Sequence, residues 1–167
     1  MGQASHQYVI ALGGNIRAAK IGSPRKVLDA AVKTMAKQGI TILASARIID
    51  SEPLGPSARR YANSAALVQT SHAPLELLEV LQKLERDFGR EKRGQRWASR
   101  VLDLDIVLWK GGIWASSELT IPHPSFRERD FVLGPAVGIA PDWRDPITGS
   151  SLRQLYARLT KPRTIPR

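Results

Sequence analysis

The chain has 167 residues and no cysteine, so it is long enough for one cored domain and excludes a disulfide framework, thiolate-held zinc or iron–sulfur centres and a cysteine nucleophile. Lysine and arginine number 25 against 15 aspartate and glutamate, which favours an anionic partner without choosing among nucleotide, nucleic acid and acidic membrane surface. Met1 to Gln7 is short and polar, reads as neither signal peptide nor membrane span, and leads to the expectation of a soluble cytoplasmic protein.

Tyr8 to Leu12 is a short apolar run that reads as a first strand in the centre of a sheet, emptying into a tight turn at Gly13-Gly14-Asn15. Ser23 and Pro24 form an N-cap and first helical position, and Val27, Leu28, Ala31, Val32 and Met35 then recur at helical spacing up to Gly39. Ile40 to Ile49 predicts a second strand, Ser51 to Arg60 a long loop and Tyr61 to Thr70 a third strand. Pro74 opens a second helix with Leu75, Leu78, Leu81 and Leu84 on or near one face and Gly89 as its stop. Arg90 to Arg100 has no apolar period. Val101 to Trp109 is strand-like, Gly111-Gly112 signals a hairpin turn, and Ile113 to Ile121 is a return strand or two short pieces ended by Pro122 and Pro124. Short helices follow at Phe126 to Val137 and Ser151 to Leu159, then a basic tail. One domain over 1–167 is expected, with 1–6 and 161–167 as flexible ends. The order strand, helix, strand, strand, helix, strand predicts an α+β, ferredoxin-like fold, an antiparallel-rich sheet covered by helices in three αβα layers.

In Val101-Leu102-Asp103-Leu104-Asp105-Ile106-Val107, alternation puts Asp103 and Asp105 on one face and Leu102, Leu104 and Ile106 on the other. Alone, such a pair reads as the wet face of a half-buried strand. It also suits a hard cation, since Mg²⁺ typically takes one or two carboxylates together with substrate phosphate oxygens. The surroundings favour the second reading: Arg90, Lys92, Arg93, Arg96 and Arg100 precede the pair, and guanidinium groups match phosphate oxygens bidentately. The basic stretch is then either a lid over a triphosphate or a solvated loop with Trp97 tucked against the core. No phosphate-cradling Gly-x-x-x-x-Gly-Lys-Ser/Thr occurs, which excludes that nucleotide-binding class. The Gly13-Gly14 pair suits either a structural turn or close backbone approach to a ligand. His123, between Pro122 and Pro124, is either structural or placed to reach a phosphate; His6 and His72 invite no role.

With these residues in view, the chain resembles the hydroxymethyldihydropterin pyrophosphokinase family of folate biosynthesis. The resemblance rests on Arg96-Trp97-Ala98-Ser99-Arg100-Val101-Leu102-Asp103-Leu104-Asp105-Ile106-Val107, supported by Leu12-Gly13-Gly14-Asn15, Pro53-Leu54-Gly55, Tyr61-Ala62-Asn63, Ile121-Pro122-His123-Pro124 and Arg129-Asp130-Phe131-Val132-Leu133. It implies two Mg²⁺ ions on Asp103 and Asp105 bridging the triphosphate of ATP, the co-substrate, with Arg90 and Arg100 stabilising charge on the transferring group. Lys92, Arg93 and Trp97 would belong to a catalytic loop. Gln82, Glu85, Ile106, Thr120, His123 and Arg129 fall where the family contacts ATP. Ser51, Pro53, Leu54, Tyr61, Asn63 and Phe131 fall where it holds the pterin, with Tyr61 and Phe131 on either side of the ring and Asn63 reading its edge. Gly14 stands where serine is usual, Ile49 where an aromatic is common, Ser51 where threonine is common, Ala62 where leucine is common and Pro124 where some members carry an aromatic. A monomer acting on small molecules, with no nucleic-acid or membrane partner, is the expectation. The competing readings are a basic ferredoxin-like RNA binder and a non-catalytic binding module of the same fold. The first lacks an alternating aromatic pair on a central strand and would set two aspartates against a phosphate backbone.

Overall fold

The apolar run at the start of the chain is central to a mostly antiparallel sheet because strands pair with it on both sides. The computed structural model describes residues 2–52, 60–89 and 100–165. Strand β1 (His6–Gly14) is followed by helix α1 (Pro24–Lys37), strands β2 (Ile40–Ser45), β3 (Ile49–Ser51) and β4 (Tyr61–Thr70), and helix α2 (Pro74–Asp87). Then come β5 (Asp103–Trp109), β6 (Trp114–Ala115), β7 (Thr120–Ile121), a 3₁₀ turn (Phe126–Glu128), α3 (Asp130–Ile139) and α4 (Leu152–Thr160). The sheet runs β2–β4–β1–β5, with β3 also paired to β4, and β6 and β7 form a separate two-stranded ribbon. All the pairings are antiparallel.

Alternation along β1 divides the core. Tyr8, Ile10 and Leu12 pack with Val27, Leu28 and Met35 of α1 and Leu77, Leu81 and Leu84 of α2. Val9 and Ala11 pack with Val132, Leu133 and Ala136 of α3 and Leu152 and Leu155 of α4. Each face of the sheet therefore carries helices, and each fully buried Leu or Ile contributes roughly 1.5–3 kcal/mol. Ser23 Oγ caps α1 as the sequence suggests, accepting from Lys26 N–H ahead of Pro24, and Ser151 Oγ caps α4 by accepting from Gln154 N–H.

Four local expectations change. His6 is the first residue of β1, and its Nδ1 accepts from Trp109 Nε1 at 3.3 Å, so it is not a loose end. Gly13 and Gly14 remain in the strand, because Gly13 pairs with Asn63 on one side and Asp103 on the other. The single strand expected over Ile40 to Ile49 is two strands, since Ser64 Oγ donates to Ala46 O and Arg25 Nη1 to Ile48 O, taking carbonyls away from the ladder. In α2 the buried positions are Pro74, Leu77, Leu81, Leu84 and Glu85, an i, i+3, i+7, i+10, i+11 stripe; Leu78 packs at its margin and Leu75 is only half-buried.

Candidate active site

The paired aspartates lie at the start of the edge strand β5, facing the side of the sheet on which α3 and α4 pack. Asp103 is opposite Gly13 and Asp105 opposite Ala11. The same two β1 residues are opposite Asn63 and Ala65 of β4. Cross-strand partners share a face, so two rows run over three strands, Asn63–Gly13–Asp103 and Ala65–Ala11–Asp105. The middle position of the first row, half-buried Gly13, carries no side chain and leaves a shallow floor between the Asn63 amide and the Asp103 carboxylate, whereas Ala65 and Ala11 of the second are buried beneath α3 and α4. Adjacent strands lie about 4.8 Å apart, which puts the Cα atoms of Asn63 and Asp103 about 10 Å from each other.

The acidic end is braced from several directions. Arg100 Nη1 lies 3.0 Å from Asp103 Oδ1. The Glu85 carboxylate, 3 % exposed, accepts the N–H of Leu104, the residue between the two aspartates, at 2.8 Å. His123 comes from the far side, its N–H donating to Val107 O of the outer edge of β5. Its Nδ1 accepts from Ser125 N–H at 3.2 Å, which leaves the proton of the neutral ring on Nε2, 3.9 Å from Asp105 Oδ2. Burial and then the Arg129 cation lower the His123 pKa, and Asp103 partly opposes them, so the ring is held neutral to lower pH than a free histidine.

The other end of the row is built by β3 and β4. Asn63 Nδ2 donates to Ser51 Oγ at 2.6 Å, which fixes the amide so that its Oδ1 points back over Gly13. Tyr61 begins β4 directly opposite Ser51. Phe131 lies in the first turn of α3, half-buried against the α3–α4 core, with the Arg129 guanidinium 5.8 Å from its ring centroid. Among the described residues no ring contact joins Tyr61 to Phe131.

The structure thus brings together Arg100, Asp103, Asp105 and His123 at one end and Ser51, Tyr61 and Asn63 at the other, with Arg129 beside Phe131. Gln82 and Thr120 are exposed, on α2 and β7. Ile106 points to the α1–α2 side, opposite to Asp105, and is buried in the core. The residues expected around a nucleotide therefore lie on both faces of β5 and along its outer edge. Pro53, Leu54, Arg90, Lys92, Arg93 and Trp97 lie outside the described residues. Sequence reading missed a role for Asn15, whose backbone and side chain both bond Arg100. Its signal was a polar residue following the Gly13-Gly14 pair at the end of a central strand.

As a metal site the two carboxylates suit a hard divalent cation. Among the described residues there is no group of three or more acidic, histidine or cysteine ligands. The protein would supply two oxygens' worth of anchoring and leave the rest to water and phosphate, the usual way Mg²⁺ is held in phosphoryl-transfer enzymes. Among the described residues no helix is long and apolar enough to cross a membrane.

A family model described as 7,8-dihydro-6-hydroxymethylpterin-pyrophosphokinase (HPPK) matches residues 9–141. A protein of Synechocystis sp. named 2-amino-4-hydroxy-6-hydroxymethyldihydropteridine pyrophosphokinase is 37 % identical over 158 residues, covering 94 % of this chain and 78 % of its own. Proteins of the same name from Haemophilus influenzae and Pseudomonas aeruginosa are 38 % and 37 % identical, covering 80 % and 89 % of this chain and 81 % and 88 % of their own. A crystal structure of HPPK-DHPS in complex with substrates aligns with 93 % of this chain and 43 % of that one at a TM-score of 0.68 and 14 % identity, a likeness of fold. Plasmodium falciparum HPPK-DHPS aligns likewise, at a TM-score of 0.64 and 13 % identity over 42 % of its chain. The extent of the family match and the similarity to these relatives lead to one conclusion: the chain belongs to the HPPK family of pyrophosphokinases.

Proposed function

We propose that this protein transfers the terminal pyrophosphoryl group of Mg²⁺-bound ATP to the hydroxymethyl oxygen of 6-hydroxymethyl-7,8-dihydropterin in folate biosynthesis, releasing AMP. The observation that carries the reading is the Asn63–Gly13–Asp103 row, which sets a heterocycle-reading amide and a metal-binding carboxylate on one face with an open floor between them. A pterin is flat and carries donors and acceptors along one edge. Asn63, oriented by Ser51, offers both an acceptor and a donor to that edge, and Tyr61 and Phe131 supply aromatic faces above and below it. Pro53 and Leu54 would complete this pocket.

Asp103 and Asp105 would hold two Mg²⁺ ions, which when bound neutralise charge on the phosphates being transferred. The attacking oxygen bonds to the β-phosphorus as the bond from that phosphorus to the oxygen bridging to AMP breaks, and the hydroxyl proton is released; no residue is assigned as general base. Arg100 presents a fork of N–H donors beside Asp103 and would stabilise charge on the moving group together with Arg90. His123 would donate from Nε2 to a phosphate oxygen as a neutral ring. Lys92, Arg93 and Trp97, with Gln82, Glu85, Ile106, Thr120 and Arg129, would complete the nucleotide side. Most of the work is positioning and charge complementarity.

The order β2–β4–β1–β5 and the helices on both faces support a ferredoxin-like, three-layer αβα description over a single domain. A cytoplasmic monomer acting on small molecules, without nucleic-acid or membrane partners, fits this chemistry. Incubation with ATP, Mg²⁺ and hydroxymethyldihydropterin, followed by chromatography of the pterins, tests the reading. Pterin diphosphate that disappears with EDTA supports it; an unchanged pterin contradicts it.

A further inference from the structure

We propose that Asn15, to which the reading above gives no part, is a positioning residue that sets where the Arg100 guanidinium stands relative to Asp103. The proposal rests on the pyrophosphokinase reading of this site and concerns how the site is held.

Asn15 follows directly on β1 and is 3 % exposed. It grips one residue of the incoming chain at both of its backbone groups. Its N–H donates to Arg100 O at 3.0 Å, and its side-chain Oδ1 accepts from Arg100 N–H at 2.8 Å. An antiparallel hydrogen-bonded pair exchanges two such bonds between backbones. Here the Asn15 side chain takes over the acceptor half of that exchange, so β1 goes on guiding the chain beyond its last paired residue.

The three residues after Arg100 are pinned in turn. A Cβ at Gly14 would lie 2.3 Å from Val101 O, so the two backbones approach more closely than any side chain at position 14 permits. Leu102 is completely buried in the α1–α2 core, and Asp103 is paired with Gly13. The segment from Arg100 to Asp103 is therefore laid down residue by residue along Asn15, Gly14 and Gly13. With its backbone fixed at both N–H and C=O, Arg100 reaches Asp103 over only three residues at 3.0 Å. Asn15 bonds the backbone of Arg100 through its own N–H and through its side-chain Oδ1, and it acts on the site through that residue. Positioning of this kind has large leverage, since displacement of a charged group by about 1 Å costs on the order of 100-fold in rate.

The test combines Asn15→Ala and Asn15→Asp with two readouts, amide hydrogen exchange at Arg100 and steady-state kinetics of pterin diphosphate formation. In Asn15→Ala the Arg100 amide should exchange at least about 10-fold faster than in wild type. Its kcat should fall about 10- to 100-fold, with the KM for the pterin within about threefold. Asn15→Asp keeps an oxygen at the Oδ1 position and should recover the protection and much of the kcat. Unchanged exchange in Asn15→Ala would overturn the proposal. So would faster exchange with unchanged kcat, or parallel loss of kcat, pterin affinity and thermal stability that Asn15→Asp fails to reverse. A wild-type protein that makes no pterin diphosphate would refute the pyrophosphokinase reading itself and the positioning role with it. A wild type that turns over beside an equally fast Asn15→Ala would refute the positioning role alone.

Discussion

Asn63 and Asp103 stand in the same cross-strand row with only Gly13 between them. An ideal Cβ on Gly13 would come within 3.3 Å of Asn63 Oδ1, so a side chain there would fill the floor of the proposed pterin site. Gly13 has no positive φ, and its substitution strains no backbone. Gly13→Ala should raise the pterin KM about 10-fold or more, and Gly13→Val should abolish pterin-dependent turnover with the fold retained. Steady-state kinetics and circular dichroism on the two variants check this.

Asp103 and Asp105 face the site from consecutive outward positions of β5, while Leu104 between them is buried in the core. Asp103→Asn and Asp105→Asn keep size and polarity and remove the charge that would hold a divalent cation. Each should lower kcat about 100- to 1000-fold with little change in melting temperature. Near-normal turnover in either would contradict the metal assignment.

In the proposed pterin site Ser51 acts through Asn63. Its hydroxyl accepts from Nδ2 of an amide that is 5 % exposed, and without it the amide loses the bond that fixes its orientation. Ser51→Ala should raise the pterin KM about 5- to 10-fold, equivalent to ~1 kcal/mol, with kcat within about twofold. Ser51→Thr, which keeps the hydroxyl, should stay close to wild type.

Away from the site, Asp145 is completely buried and receives Arg127 through Nε at 2.6 Å and Nη2 at 2.8 Å, with further bonds from Thr148 Oγ1 and Ile147 N–H. Burial alone would raise this carboxyl, but those hydrogen bonds outweigh it and bring its pKa from 3.8 down to about 2. The folded state therefore holds this proton less tightly than the unfolded chain. The resulting stability, on the order of 2 kcal/mol, is fully present above the ordinary carboxylate value and is lost as pH falls from about 4 to about 2. Urea unfolding of wild type and Asp145→Asn should show a gap at pH 5 that narrows as pH approaches 2.5; a gap that stays constant with pH would contradict the assignment.

The aspartate pair, its face of the strand, the central place of β1 and the Ser23-Pro24 helix start were legible from sequence because each follows from local alternation or capping. What stayed hidden depended on partners far along the chain. Gly13 and Gly14 have the local freedom to turn, and the pairing of β1 with both β4 and β5 keeps them extended. The break after Ser45 arises from Ser64 and Arg25 capturing carbonyls at Ala46 and Ile48. The burial of Glu85 depends on β5, where the N–H of Leu104 meets its carboxylate. Asn15 bonds across 85 positions of sequence, a separation over which no periodicity carries information.

The proposed reaction attacks ATP at its β-phosphorus, and the nucleotide product reports this directly. Wild-type protein incubated with ATP, Mg²⁺ and hydroxymethyldihydropterin should release AMP in equimolar step with pterin consumed, as read by ion-exchange chromatography. Release of ADP in that ratio would mean attack at the γ-phosphorus and would contradict the account.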